Sequence, residues 1–372
     1  MSRFGRLLRL RLPQLVATGY VFLATASISY GLGTPQFARE TKLPCSSCHT
    51  HVPQLNAFGQ KFFANGFKLP KHHEMFKTIP VWVEANAQGT TAPSQGPAVQ
   101  VAYDDSVIGS NGYLDKVDVL YHALYGPVGK DLFELYGIHP VTDHLGLFAG
   151  KTVVMSQFDP GLDISGTSLD AYMGPAGTNP NAPPTAMGPF SPGGTTTFVR
   201  GIFNTGSSPL PYADGWHLAA TVPFANEFTD SSGGGGPRAD LSSKAKGAFV
   251  EGYLRQGMNS YGINMFSGAD GRRFLGSVAQ KTVGPVYLQG GAAYAEGGLG
   301  GKTHVYSISA DWIPKFDTAF AFRIDSQNGD LSYVPLVSYI VGGKENALQF
   351  QVESAFSRGV GPTTTFTAVL RF

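Results

Sequence analysis

Leu348-Gln349-Phe350-Gln351-Val352-Glu353 is the stretch on which the fold turns. Apolar and polar residues alternate without a break. An extended strand therefore puts Leu348, Phe350 and Val352 on one face and Gln349, Gln351 and Glu353 on the other. The same period recurs back along the chain. Phe316, Phe320, Phe322 and Ile324 alternate with Asp317, Arg323 and Asp325. Ala248, Val250 and Leu254 alternate with Glu251, Tyr253 and Arg255. Val117, Val119, Tyr121 and Ala123 alternate with Lys116, Asp118, Leu120 and His122, and Val81, Val83, Ala85 and Ala87 with Trp82, Glu84, Asn86 and Gln88. Segments of about ten residues with one apolar and one polar face are the pattern of a transmembrane β-barrel. One face meets lipid and the other a polar lumen, and closure removes strand edges that hydrocarbon cannot hydrate.

About sixteen such segments fit between Pro80 and Phe372. They start near Pro80, Ala98, Tyr113, Gly129, Leu145, Thr195, Asp214, Gly247, Met258, Arg272, Val283, Lys302, Lys315, Leu331, Asn346 and Pro362. The number is even, as bacterial barrels require. If the N-terminal region is periplasmic, the odd-numbered connections face outward. The two longest, 160–194 and 225–246, then fall on the side where barrels keep their long loops. Asp311-Trp312-Ile313-Pro314 and Gly342-Gly343-Lys344-Glu345 become tight periplasmic turns. The terminal Thr365-Phe366-Thr367-Ala368-Val369-Leu370-Arg371-Phe372 resembles the last strand of an outer-membrane barrel.

Composition agrees. Charged residues are 14% of the 372, against about 25% in soluble domains. There are 48 Gly, 26 Phe and 16 Tyr, which suits many turns and an aromatic-rich outer surface. No stretch reaches the eighteen or so consecutive apolar residues of a helical span. No basic run lies beyond the first residues, which excludes nucleic acid as a partner. Residues 1–26 read as a secretory signal: Arg3, Arg6, Arg9 and Arg11 precede the apolar Leu15–Leu23, and Ala24-Thr25-Ala26 fits the cleavage pattern. Cleavage there would take the formal charge from +1 to −3.

Residues 27–79 form a different unit. Cys45-Ser46-Ser47-Cys48-His49 is the C-x-x-C-H pattern of covalent c-type haem attachment. The two thiols sit at the spacing of the two porphyrin vinyl groups, and the next residue is placed to be the proximal iron ligand. Both cysteines of the chain lie in this motif. A zinc ribbon would need further ligands, and a dithiol redox pair would want a βαβ context. Pro53 to Asn65, with Gly66 just past its end, predicts a helix whose Leu55, Phe58 and Phe62 form one apolar stripe. The stripe could cover one face of the haem, a barrel wall, or both.

The motif and the barrel together resemble the fused monohaem cytochrome–porins of bacterial outer membranes, known as iron(II) oxidases. The resemblance is carried by Pro35, Phe37-Ala38-Arg39, Thr41, Cys45, Cys48-His49, Pro53, Leu55-Asn56, Phe58-Gly59 and Asn65-Gly66, and for residues 80–372 by architecture alone. It implies an all-β transmembrane barrel of about sixteen strands with a small helical haem module plugging the lumen. It also implies one covalent haem c on Cys45, Cys48 and His49. Electrons would pass between an extracellular donor, Fe(II) or another reductant, and a periplasmic c-type cytochrome or other carrier. The sixth ligand does not carry over. Met75 and His73 are the first candidates, His72 comes next, and His51 ranks below them because it is too close to His49. Arg39 is the candidate partner of a haem propionate. Asp163, Asp170, Asp230 and Asp240 could offer oxygen ligands to passing iron. The rival readings are a haem-plugged porin for solute passage or sensing, and a haem enzyme with an open sixth position.

Overall fold

The computed structural model describes residues 35–69, 81–91, 107–126, 131–152, 194–228, 247–268, 273–298, 301–357 and 361–372. Three short helices come first: α1 (Pro35–Thr41), α2 (Cys45–Cys48) and α3 (Ala57–Ala64). Between α2 and α3 lies a two-stranded ribbon, β1 (His49–His51) with β2 (Gln54–Leu55). Strands β3 (Trp82–Thr91) to β18 (Thr363–Arg371) follow. These sixteen close into one barrel, each beside its sequence neighbour, with β18 paired to β3. Each of the sixteen segments expected from the alternation has its strand.

The period places the side chains as anticipated. On β14 (Gly301–Lys315), Tyr306, Ile308 and Trp312 are exposed, while Val305, Ser307, Ser309 and Asp311 are buried. Outward residues form an apolar band. Aromatics edge it at one end with Trp216, Trp312, Tyr339 and Phe350, and at the other with Tyr125, Tyr333 and Phe356. Such girdles mark the two interfaces of a lipid layer. Backbone conformation sets the tight turns. Asn328-Gly329, between β15 (Thr318–Gln327) and β16 (Asp330–Gly342), has φ 52° and 95°, which the right-handed twist of a two-residue hairpin demands.

One boundary differs from expectation. Asp311–Pro314 is strand, not turn: β14 runs on to Lys315 through a register shift after Trp312, and the turn is at Phe316-Asp317. The bulge absorbs Pro314, which has no N–H to give the ladder. The second strand, expected from Ala98, is described over Val107–Leu114, and 98–106 lie outside the described residues.

The inward face holds many polar groups, among them Glu84, Asn111, His122, Arg200, His217, Glu251, Arg255 and Asp311. Its centre is apolar. Leu120, Ile138, Phe148, Phe198, Phe249, Phe266 and Val278 are buried in one cluster with Phe37, Leu55, Phe62, Phe63 and Phe67 of the helical module. Arg200 lies within this packing, its Cζ 5.3, 5.6 and 5.8 Å from the ring centroids of Phe148, Phe198 and Phe249. The module is therefore a plug whose core continues into the barrel's.

The plug enters from one end. Its partners beyond the strands are the short connections: Cys45 N–H donates to Gly343 O (2.9 Å), Ser208 Oγ to Ala64 O (3.0 Å), and Lys68 Nζ lies 3.0 Å from Asp115. Gln36, fully buried, exchanges two hydrogen bonds with the Asn111 backbone, at 2.7 and 3.2 Å. The strands flanking 153–193 and 229–246 meet those segments at the opposite end.

Candidate functional site

Asn56 organises the motif. It caps α3, its Oδ1 accepting from Gly59 N–H at 3.0 Å. Its amide donates to Ser47 O (3.0 Å) and Ser46 O (3.3 Å), and its own N–H donates to Cys48 O (2.9 Å). One side chain thus starts α3 and holds α2 beside it. The helix begins at Ala57 rather than at Pro53, which sits in the turn between β1 and β2. The Asn56 cap was legible as a favoured residue type; its grip on Ser46 and Ser47 was not.

Gly59 sets the spacing of the two helices. A Cβ there would lie 2.2 Å from Cys48 O and 3.0 Å from its carbonyl carbon. The obstacle is backbone and cannot swing aside. Gly59→Ala is expected to cost roughly 1–3 kcal/mol in module packing. It should show as faster proteolysis of residues 35–69 from a barrel that still assembles. Unchanged cleavage would refute the contact.

Cys45, Cys48 and His49 share the wall of one cavity. Phe37, Ala38, Thr41, Leu55, Phe58 and Phe62 line it from the module, and Ala347 and Arg371 from the barrel. The space between these walls is about 710 Å³, open solvent at the mouth included. The stripe Leu55, Phe58 and Phe62 faces this space, while the adjacent Phe63 meets Tyr212 of the barrel connection 205–214 edge-on at 5.0 Å.

His49 is buried and its Nδ1 lies 3.0 Å from Pro53 O. A carbonyl only accepts, so Nδ1 carries the proton and Nε2 keeps its lone pair. That is the tautomer a metal-binding imidazole takes when its second nitrogen is held by a backbone carbonyl. Burial lowers its pKa to about 4, so the ring is neutral near pH 7. Both thiols are free. Burial raises each pKa, and that of Cys48 to about 11, with Cys45 adding to the rise. Neither thiol is predisposed to the thiolate that redox exchange needs. Among the described residues no group of three or more His, Cys, Asp and Glu is placed to hold a metal ion.

The donor set therefore fits a c-type haem: two thiols and a neutral imidazole whose Nδ1 is held by a backbone carbonyl, on a largely apolar wall. Of the other expected residues, His51 is fully buried with both ring nitrogens engaged, Nδ1 with Phe316 O (2.7 Å) and Nε2 with Ser338 Oγ (2.8 Å). It anchors the motif to the barrel. Arg39 is not in the cavity wall; its guanidinium donates to Val81 O. His122 faces the lumen, buried, bonded to Asn111 and stacked on Tyr136 at 4.8 Å. His72, His73, Met75, Asp163, Asp170, Asp230 and Asp240 lie outside the described residues.

Solved structures share the barrel. OmpF of Salmonella typhi, in complex with daunomycin, aligns at TM-score 0.52 and 11% identity, over 78% of this chain and 97% of its own. The fold is a porin fold. An anion-selective porin from Comamonas acidovorans aligns at 0.50 and 12%, over 79% and 98%. A loop-deleted OmpT, an outer membrane protein of Vibrio cholerae, gives 0.50 and 11%, over 79% and 98%. At such identities the likeness speaks for the barrel architecture. No protein-family model and no curated protein sequence matches the chain.

Proposed function

We propose that this chain is an outer-membrane electron-transfer protein carrying one covalent haem c on Cys45 and Cys48, with His49 as proximal ligand. The observation that carries the reading is the His49 ring: neutral, held by Pro53 O, and on one cavity wall with two free thiols. Bound haem would supply a reversible one-electron iron couple. The chain's own residues set its surroundings. Phe37, Leu55 and Phe62 exclude water, and Asn56 fixes the helix that bears the thiols. Met75 and His73 are the candidates for the distal position. The plug end, with its short turns, is the periplasmic end by the usual barrel asymmetry. A periplasmic c-type cytochrome or similar carrier would dock there. The donor would be extracellular Fe(II) or another small reductant.

The test is anaerobic addition of Fe(II) to the purified protein, followed by visible absorbance. Reduced bands of one haem per chain are expected. Reduction by dithionite but not by Fe(II) would remove iron as donor. The absence of haem would remove the whole reading. A second reading, a haem-plugged porin for solute passage or sensing, draws on the strand number, since sixteen strands can enclose an aqueous channel. The packed interior opposes it. In planar bilayers, the electron-transfer reading expects conductance far below that of an open porin, and porin-sized current would favour the second.

A further inference from the structure

The cavity wall is largely apolar. Of the described side chains that line it, only Arg371 carries a full charge. Arg371 ends β18, where the barrel closes on β3, and stands opposite Glu84 in that register. Its side chain is 7% exposed. Nε donates to Glu84 Oε2 at 2.7 Å and Nη1 to Gln349 Oε1 at 2.7 Å. A guanidinium has five N–H donors, and among the described residues only Nε and Nη1 are engaged, which leaves the Nη2 amine for a ligand. The guanidinium is already positioned by two buried partners and is poor at rearranging.

A porphyrin brings two carboxylates into a space walled by Phe, Leu, Pro and Ala. A buried carboxylate needs a partner or must reach water. Arg39, the residue suggested by sequence, spends its guanidinium on Val81 O and lies outside the wall. We propose that Arg371, through Nη2, binds a propionate carboxylate of the haem and so ties the cofactor to the β18–β3 seam. This rests on the haem reading above. The penultimate residue of the chain then serves two ends. It pairs with Glu84 across the closing strands, and it fixes the anionic edge of the porphyrin.

The test compares the wild-type chain with Arg371→Gln, with the double variant Arg371→Gln/Glu84→Gln, and with Arg39→Gln, all purified in detergent. The double variant leaves no unpaired buried carboxylate at the seam, so it assembles even if the single one does not. Haem content is read by pyridine haemochrome, and the midpoint potential by titration from pH 5 to 8. The wild-type potential should be nearly flat. In the double variant the released propionate, normally titrating near pH ~4, shifts upward in its apolar setting. The potential then rises as pH falls through the new pKa, with one covalent haem per chain retained. Arg39→Gln should match wild type. A double variant with the wild-type pH profile, or a changed profile in Arg39→Gln instead, overturns the assignment while leaving the haem reading intact. Wild-type protein without covalent haem overturns both.

Discussion

With serine at both 45 and 48, the chain is expected to assemble its barrel and contain no covalent haem, the haemochrome signal falling from one per chain to zero. The barrel should survive because the thiols hold none of it together. Cys45 meets the connection that follows β16 through its backbone N–H to Gly343 O, which serine keeps. The clamp on α2 uses Asn56 with the carbonyls of Ser46, Ser47 and Cys48, again backbone groups. Serine only replaces the sulfur with a smaller oxygen, and the two positions are half buried. What disappears is the chemistry of sulfur, since a hydroxyl does not form the thioether. The single variants should each retain haem through one bond, with shifted visible bands. Two results would defeat the idea: covalent haem persisting in the double variant, or a barrel that fails to form without the cysteines. A stoichiometric metal lost in the double variant, with no haem in the parent, would point back to a thiolate metal site.

How much of this could be read beforehand follows from the range of the forces. Strand existence is local: alternation along ten residues decides which face meets lipid, so all sixteen segments were legible from Leu348–Glu353 and its counterparts. Strand ends are less local. Trp312-Ile313 still alternates, and only the bulge before Lys315 shows that the ladder runs past Pro314. The motif Cys45–His49 was legible because covalent chemistry fixes its spacing. Its partners were not. His51 finds Phe316 and Ser338, which lie 265 and 287 residues along the chain. Arg371 reaches the cavity only because β18 closes on β3. A signal existed for it: Val369 and Arg371 share the inward face of the last strand, opposite the inward Glu84. The apolar heart of the lumen was the least legible feature. Phe148, Phe198, Phe249 and Phe266 stand on the inward, nominally polar face of their strands. Alternation alone gives such residues no reason to point inward; packing on the plug does.

Lowering the pH should loosen the plug through His51. In the folded protein its pKa falls from 6.5 to about 4, first through burial; Arg371 lowers it further, while the Phe316 carbonyl and Asp317 act the other way. The hydrogen bonds show why the neutral ring is preferred. Phe316 O accepts from Nδ1–H, so Nε2 must accept from the Ser338 hydroxyl, whose oxygen in turn accepts from Gln349 Nε2 (3.0 Å). Gln349 also donates to Val52 O (2.8 Å), which joins this network to the backbone of the haem motif. A proton on Nε2 would face a donor. The group is depressed in the folded state, so its stabilisation is complete above pH 6.5. It is lost as pH falls from there towards 4, and little changes below. A shift of this size corresponds to about 3 kcal/mol, roughly 300-fold in the opening equilibrium. His49 would add a similar effect in haem-free protein only, since iron ligation removes it from titration. In the haem-loaded protein, amide hydrogen exchange of residues 45–56, corrected for intrinsic rates, should show this loss of protection between pH 7 and 4. His51→Asn keeps a donor towards Phe316 O and has no titration in that range, so its protection should be lower at pH 7 and flat with pH. Protection constant from pH 7 to 4 in the parent, or a fall of equal size in His51→Asn, would place the plug's anchoring elsewhere than at His51.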